Sequence, residues 1–153
     1  NTDAADGTDY TDMLLDEELS FHLRGALITV SKRYGAGFKE RIYQQACTEA
    51  FAKVGIPYMQ HPRVRIHSLD SGKFIAVYIP DFVIADRIVL ELKSVPMCTA
   101  SMVEQIVAYL RATVYEVGML VNFGTPIAQI IRRVYTNDRK PWMSLAVPEG
   151  QHP

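Results

Sequence analysis

Apolar residues recur mainly four apart through Leu15, Leu19, Leu23 and Leu27 and on to Val30, which predicts an amphipathic helix over about 16 to 33, closed by Gly35-Ala36-Gly37. A second stripe, Phe38, Ile42, Ala46 and Ala50, predicts a helix over about 38 to 54, with Gly55 as its stop and Pro57 as its exit. From Tyr58 the period changes to two. Val64 and Ile66, then Phe74, Ala76 and Tyr78 beyond the turn-forming stretch 68–73, alternate as the arms of a hairpin do. Two almost wholly apolar runs, 82–85 and 87–93, are separated by Asp86 and read as strands covered on both faces, at the centre of a sheet. Met102, Val103, Ile106, Val107 and Leu110 predict a helix of about a dozen residues, and 117–123 and 129–135 read as two further strands. The predicted order is ααββββαββ, an α/β domain. Beyond Tyr135, Asn137, Asp138, Pro141, Pro148 and Gly150 indicate an irregular tail that Trp142 pins to the body.

With 153 residues, 48% of them hydrophobic, the chain has the size of one domain and needs no metal or disulfide to fold. The pattern divides it into an acidic arm over 1–15, a folded domain over 16–135 and a tail over 136–153. The net charge of −1 hides an asymmetry: the first 20 residues hold seven acids and no Lys or Arg, whereas the rest holds 16 basic residues against ten acidic ones. A neutral average therefore leaves a polyanion-binding body open, because the field a ligand meets is local. Cys47 and Cys98, with His22, His61, His67 and His152, show no zinc-ligand spacing, so structural zinc is not expected and a reducing, intracellular compartment is. The N-terminal Asn1 suggests trimming or processing, which leaves organelle import open. The longest candidate run without charge, 117–131, contains Asn122, Pro126 and Gln129 and falls short of a membrane span.

Asp81, Glu91 and Lys93 stand inside or beside the apolar strands, where a charge is costly unless it pairs or binds a metal. Glu91 and Lys93 are two apart and share a strand face. If 85–87 is a three-residue turn, Ile84 faces Ile88, Phe82 faces Leu90 and Asp81 faces Glu91, with Cβ atoms about 4.5–5.5 Å apart. Two carboxylates at that distance repel unless a cation lies between them, and oxygen ligands suit Mg²⁺ or Mn²⁺. Lys93 could then hold a water or stabilise charge on an attacked phosphate. The alternative is a structural network in which Lys93 neutralises one carboxylate. The basic pairs Arg63 with Arg65 and Arg132 with Arg133 are weak candidates for following a phosphate backbone, Arg63 and Arg65 on one strand face.

Pro80-Asp81, nine intervening residues and Glu91-Leu92-Lys93 resemble the PD-(D/E)xK nuclease motif. Gly37-Phe38-Lys39-Glu40-Arg41-Ile42-Tyr43 reads G-x-x-E-x-x-Y and looks like the signature of the GxxExxY family, a branch of that superfamily. The likeness continues through Gly55-Ile56-Pro57, Gln105 to Thr113 and Leu120-Val121-Asn122-Phe123-Gly124, in the family's order and over most of the chain. Arg41-Ile42 and Met102-Val103-Glu104 depart from it. The resemblance implies a three-layer restriction-endonuclease-like domain with a mixed central sheet, the first two helices on one side and the Gln105 helix on the other. It implies that Asp81, Glu91 and Glu40 are metal ligands and Lys93 the catalytic lysine, and that Gln105 and Tyr109 match a Q-x-x-x-Y helix motif of RecB-like nucleases. Tyr43 could steady Glu40 or simply pack.

The expected activity is Mg²⁺- or Mn²⁺-dependent phosphodiester hydrolysis, with DNA preferred to RNA as substrate and no membrane partner. A nuclease-derived, silent nucleic-acid-binding or structural subunit of a larger nucleoprotein assembly is the alternative.

Overall fold

The structure, a computed structural model, describes residues 16–145. The acidic arm over 1–15 and the tail over 146–153 lie outside the described residues. Two helices come first, α1 (Glu17–Tyr34) and α2 (Glu40–Val54). Glu17 and Glu18 in the first turn of α1, and Lys32 and Arg33 in its last, oppose the two ends of the helix dipole. There follow β1 (Tyr58–Gln60), β2 (Val64–His67), β3 (Phe74–Tyr78), β4 (Phe82–Ile84), β5 (Ile88–Lys93), α3 (Ala100–Arg111), β6 (Val117–Asn122) and β7 (Gln129–Val134).

The central sheet runs in the order β1-β4-β5-β6-β7, with β5 and β6 parallel and every other neighbouring pair antiparallel. β2 and β3 form a separate two-stranded sheet. The predicted order needs one correction: five strands, not four, precede the last helix. The added strand, β1, is three exposed residues with no alternation to reveal it. Its pairing with β4, Tyr58 to Ile84 and Gln60 to Phe82, makes it a strand.

Alternation along β4 and β5 sorts their side chains into two cores. Phe82, Ile84, Ile88, Leu90 and Leu92 join Met119 and Val121 of β6 and pack against Leu23, Leu27 and Val30 of α1 and Tyr43, Cys47 and Phe51 of α2. Val83, Val89 and Leu120 face the other way and meet Ile106 and Leu110 of α3 with Val64 and Tyr78 of the hairpin. The result is the expected three layers, helices on both sides of a mixed sheet. α3 lies so close to β6 that a Cβ at Gly118 would stand 2.8 Å from Ile106 Cγ2, so glycine there sets the helix-to-sheet distance.

The β4–β5 connection has the expected register, Ile84 opposite Ile88 and Phe82 opposite Leu90. Ala85 and Asp86 both take positive φ, 52° and 56°, and Arg87 N–H closes the turn on the Ile84 carbonyl at 2.8 Å. Arg87 also pairs with Asp16 at 2.7 Å, tying the start of α1 to this turn. Past β7, residues expected to be irregular form two short 3-10 turns, Asn137–Arg139 and Pro141–Ser144. Trp142 seats them: it is 1% exposed, donates its indole N–H to the Arg111 carbonyl at 2.7 Å and stacks on His67.

Lys140 is buried beside it and donates to the carbonyls of Thr113 at 2.8 Å and Tyr115 at 2.7 Å. Burial pushes its ammonium down from 10.5 to about 8, with Glu116 working the other way. Between those values the unfolded chain holds more protons than the folded one, so stability rises with pH there, and below about 8 the cost of burying the charge is present in full. Urea unfolding of the wild type and Lys140→Met at neutral and alkaline pH should show a rise on the order of 3 kcal/mol in the wild type that the variant lacks. Identical pH dependence of the two would contradict this burial cost.

Candidate active site

Pro80 has no N–H to give a ladder, and the chain crosses here from the β2–β3 hairpin to the central sheet. Asp81 therefore lies one residue outside β4, opposite Glu91 by extension of the register. Side chains take over where backbone pairing ends. Leu92 N–H donates to Asp81 Oδ2 at 2.7 Å, and Asp81 N–H donates to Glu91 Oε1 at 3.2 Å. The Asp81 carbonyl accepts from His61 N–H at 2.9 Å, and Gln44 Nε2 of α2 donates to Asp81 Oδ1 at 3.0 Å. The last carboxylate oxygen, Glu91 Oε2, accepts from the Tyr78 hydroxyl. Every oxygen of the pair thus has a protein donor that fixes its position.

Tyr78 is buried and lies flat on Tyr109 of α3, ring centroids 3.7 Å apart and planes 5° from parallel. Burial is the largest cause that pushes the Glu91 carboxyl up, from 4.5 to about 7. The Tyr78 hydrogen bond opposes that shift, whereas the Asp81 charge and a direct contact with the Asp81 side chain add to it. Two half-buried carboxyls in contact hold a proton between them or require a cation. Lys93 is not within ion-pair distance of either carboxylate, since the ion pairs among the described residues are His22 with Glu18 and Arg87 with Asp16.

Lys93 shares the Glu91 face of β5, as their spacing predicts, and lines a narrow cleft with Tyr78, Glu91, Met102, Gln105 and Tyr109. Its volume of about 10 Å³ is the room one water needs. Gln105 and Tyr109 come together because positions four apart lie on one helix flank, while Ile106 and Leu110 bury the neighbouring face. Glu40, the first residue of α2, stands elsewhere, in an open depression of about 550 Å³ with Phe38, Ser94, Val95 and Gly124. Among the described residues no three acidic, His or Cys side chains gather as a metal-binding group, so the structure brings Asp81 and Glu91 together without Glu40. Tyr43 takes the packing alternative. It is fully buried, stacks on Phe123 and donates its hydroxyl to the Gly35 carbonyl.

The floor is the carboxyl end of the parallel pair β5 and β6. Lys93 lies opposite Asn122, whose buried side chain accepts from Val95 and Gly124 N–H and donates to the Val95 carbonyl at 2.9 Å. A Cβ on Gly124 would fall 2.1 Å from that carbonyl oxygen, so only glycine lets the two loops touch. Ser94 Oγ donates to the Phe38 carbonyl at 2.6 Å and draws the start of α2 toward the end of β5.

Sequence reasoning missed Tyr78, Gln44 and Asn122. Gln44 could have been found, being one helical turn beyond Glu40 on the same face. Tyr78 reads simply as an inward strand position. The weak basic candidates separate. Arg63 precedes β2, so strand alternation applies to Arg65 alone. Arg132 bonds Ser20 of α1, and Arg133 is on the opposite face of β7. An apolar concavity of about 860 Å³ between α1 and α2 is lined by Phe21, Ile28, Val54 and Pro57 and contains no carboxylate.

A mixed sheet with helices on both faces, carrying one acid just before the amino end of β4 and the other acid and a lysine at the carboxyl end of the neighbouring β5, is the architecture of a restriction-endonuclease-like domain. The family model described as PD-(D/E)XK nuclease superfamily matches residues 17–134, and the chain belongs to that superfamily. No curated protein and no solved structure matches the chain. Among the described residues no helix is long and apolar enough to cross a membrane.

The opposing effects on Glu91 can be separated in metal-free protein by carbon-13 NMR titration of its side-chain carboxyl. Tyr78→Phe keeps the ring stack and removes a donor that favours the ionised form, so the midpoint should move above about 7. Asp81→Asn removes the neighbouring charge and should move it down toward 4.5. A midpoint indifferent to both would show that the carboxyls do not interact.

Proposed function

We propose that this chain is a Mg²⁺- or Mn²⁺-dependent nuclease of the GxxExxY branch that hydrolyses phosphodiester bonds, in DNA in preference to RNA. The observation that carries this reading is the Asp81–Glu91 pair, two carboxyls in contact with no protein cation within ion-pair distance among the described residues. The structural-network alternative has Lys93 neutralise one carboxylate, and the lack of that ion pair among the described residues supports the metal reading. An all-oxygen donor set suits Mg²⁺ or Mn²⁺, and Mg²⁺ is commonly held by one or two carboxylates with waters and substrate phosphate oxygens completing its shell. The residues present fit such an ion with two direct protein ligands, Asp81 and Glu91, and Glu40 is not one of them.

Asp81 and Glu91 would hold the ion, which when bound supplies an acidified water and charge stabilisation at the phosphoryl group. Gln44 and Tyr78 keep the two carboxylates from turning away from each other. Lys93 Nζ, on the face of β5 that carries Glu91, stabilises charge growing on the attacked phosphate. Gln105, exposed at the rim of the cleft, offers its amide to the substrate backbone, and Tyr109 acts through its stack on Tyr78. Arg63, Arg65 and Arg133 supply positive charge for the substrate's phosphates. Both cysteines are free thiols, which supports a reducing intracellular compartment.

The second reading is a silent nucleic-acid-binding or structural subunit of a larger assembly. The observation favouring it is the separation of Glu40 from the carboxylate pair.

Cleavage assays with single- and double-stranded DNA and RNA in Mg²⁺, run beside calorimetric titration with Mn²⁺, distinguish the two. Glu91→Gln should lose both cleavage and metal binding. Lys93→Ala should bind Mn²⁺ as the wild type does and turn over roughly 100- to 1,000-fold more slowly. A wild-type protein that binds Mn²⁺ and cleaves no substrate would establish the silent reading. Loss of folding in Lys93→Ala would return Lys93 to a structural role.

A further inference from the structure

The β2–β3 hairpin begins at the candidate site and leads away from it. Tyr78, which holds Glu91, ends β3, and Phe74 begins the same strand four residues earlier, past an irregularity in the ladder that sets it opposite His67. Phe74 is 47% exposed and Ile75 60%, so the far end of the strand presents apolar surface to solvent. A cation lies on that surface: the Arg65 guanidinium carbon is 4.3 Å from the Phe74 ring centroid. Arg65 Nε is buried with no acceptor, and none of Arg63, Arg65 and Lys73 forms an ion pair among the described residues. From His61 to Tyr78 the chain carries those three cations and a single acid, Asp70.

A half-exposed aromatic ring with a guanidinium on it, in a hairpin whose cations no carboxylate neutralises, is complementary to a chain with a π-face on every base and a charge on every phosphate. In a continuous duplex each base already stacks on its neighbours and offers Phe74 no face. We propose that Phe74, backed by Arg65, is a stacking platform for an unpaired base, with Lys73 on an adjacent phosphate and Arg63, at the Tyr78 end of the hairpin, on a phosphate further along, so that the hairpin directs single-stranded or frayed nucleic acid toward the Asp81–Glu91 site. The inference rests on the nuclease reading for what becomes of the strand, whereas the binding itself is independent of metal.

The test is fluorescence anisotropy of the full chain in EDTA, with a fluorescein-labelled oligothymidylate of about 15 nucleotides and a blunt duplex of equal length as probes. Phe74→Ala should weaken single-strand binding roughly 5- to 100-fold, leave its salt dependence unchanged and hardly alter duplex binding. Phe74→Trp should retain affinity and Phe74→Leu should lose it, since leucine keeps apolar bulk without a π-face. Lys73→Ala should lower the slope of log affinity against log salt by about 0.7. Wild-type affinity in Phe74→Ala, equal affinity of the Leu and Trp variants, or a preference of the wild type for the duplex would each overturn the platform. Phe74-dependent binding in a protein that cleaves nothing with Mn²⁺ would uphold the platform and contradict the nuclease reading. Mn²⁺-dependent cleavage of single strands that Phe74→Ala leaves intact at subsaturating substrate would do the reverse.

Discussion

The site depends on what happens where the β4–β5 ladder stops. Beyond Phe82 and Leu90 the backbones no longer pair, and the carboxylates of Asp81 and Glu91 take up the freed N–H groups, each reaching to the other's strand. That exchange satisfies donors that would otherwise be buried and unpaired, at the cost of bringing two acidic groups into contact. The cost is visible in Glu91, which burial and the neighbouring Asp81 push up to about 7. A pair like this is a poor stabilising element by itself, and under the proposed function the cation it calls for is what joins the fold to the chemistry.

The rest of the scaffold keeps that pair from relaxing apart. Gln44 from α2 and Tyr78 from β3 hold it from opposite layers, and Tyr109 of α3 keeps Tyr78 flat. Below it, the parallel β5–β6 pair ends in the Asn122 clasp on Val95, for which Gly124 leaves the room. Gly118 lets α3 press against β6, which brings Gln105 and Tyr109 to the cleft. Carboxyl ends of adjacent parallel strands are where open α/β sheets generally place their ligands, and Lys93 and Asn122 stand at such an end.

Much of this was legible in the sequence, for identifiable reasons. The runs 82–85 and 87–93 read as strands covered on both faces because they are almost wholly apolar, and the structure puts Phe82 and Leu90 in one core and Val83 and Val89 in the other. The facing of Asp81 and Glu91 follows from turn length alone, and Gln105 and Tyr109 share a helix flank by spacing alone. Strand β1 was not legible because pairing with β4, not its own pattern, makes it a strand. The 3-10 turns around Trp142 depend on a distant stack with His67, and proline and asparagine there read locally as irregular chain. Glu40 shows the limit of a motif: its position at the start of α2 is regular, but which depression it lines is decided by the packing of the α2 end against Ser94 and Val95.

The central claim is that Asp81 and Glu91 together bind a divalent ion. Crystals of the protein soaked in Mn²⁺ and measured at a wavelength where manganese scatters anomalously test it most directly. The account predicts an anomalous peak between one oxygen of Asp81 and one of Glu91, within about 2.0–2.6 Å of each, that is missing from Asp81→Asn crystals. A fully soaked crystal with no peak there, or with manganese bound elsewhere and the two carboxyls still in contact, would contradict it.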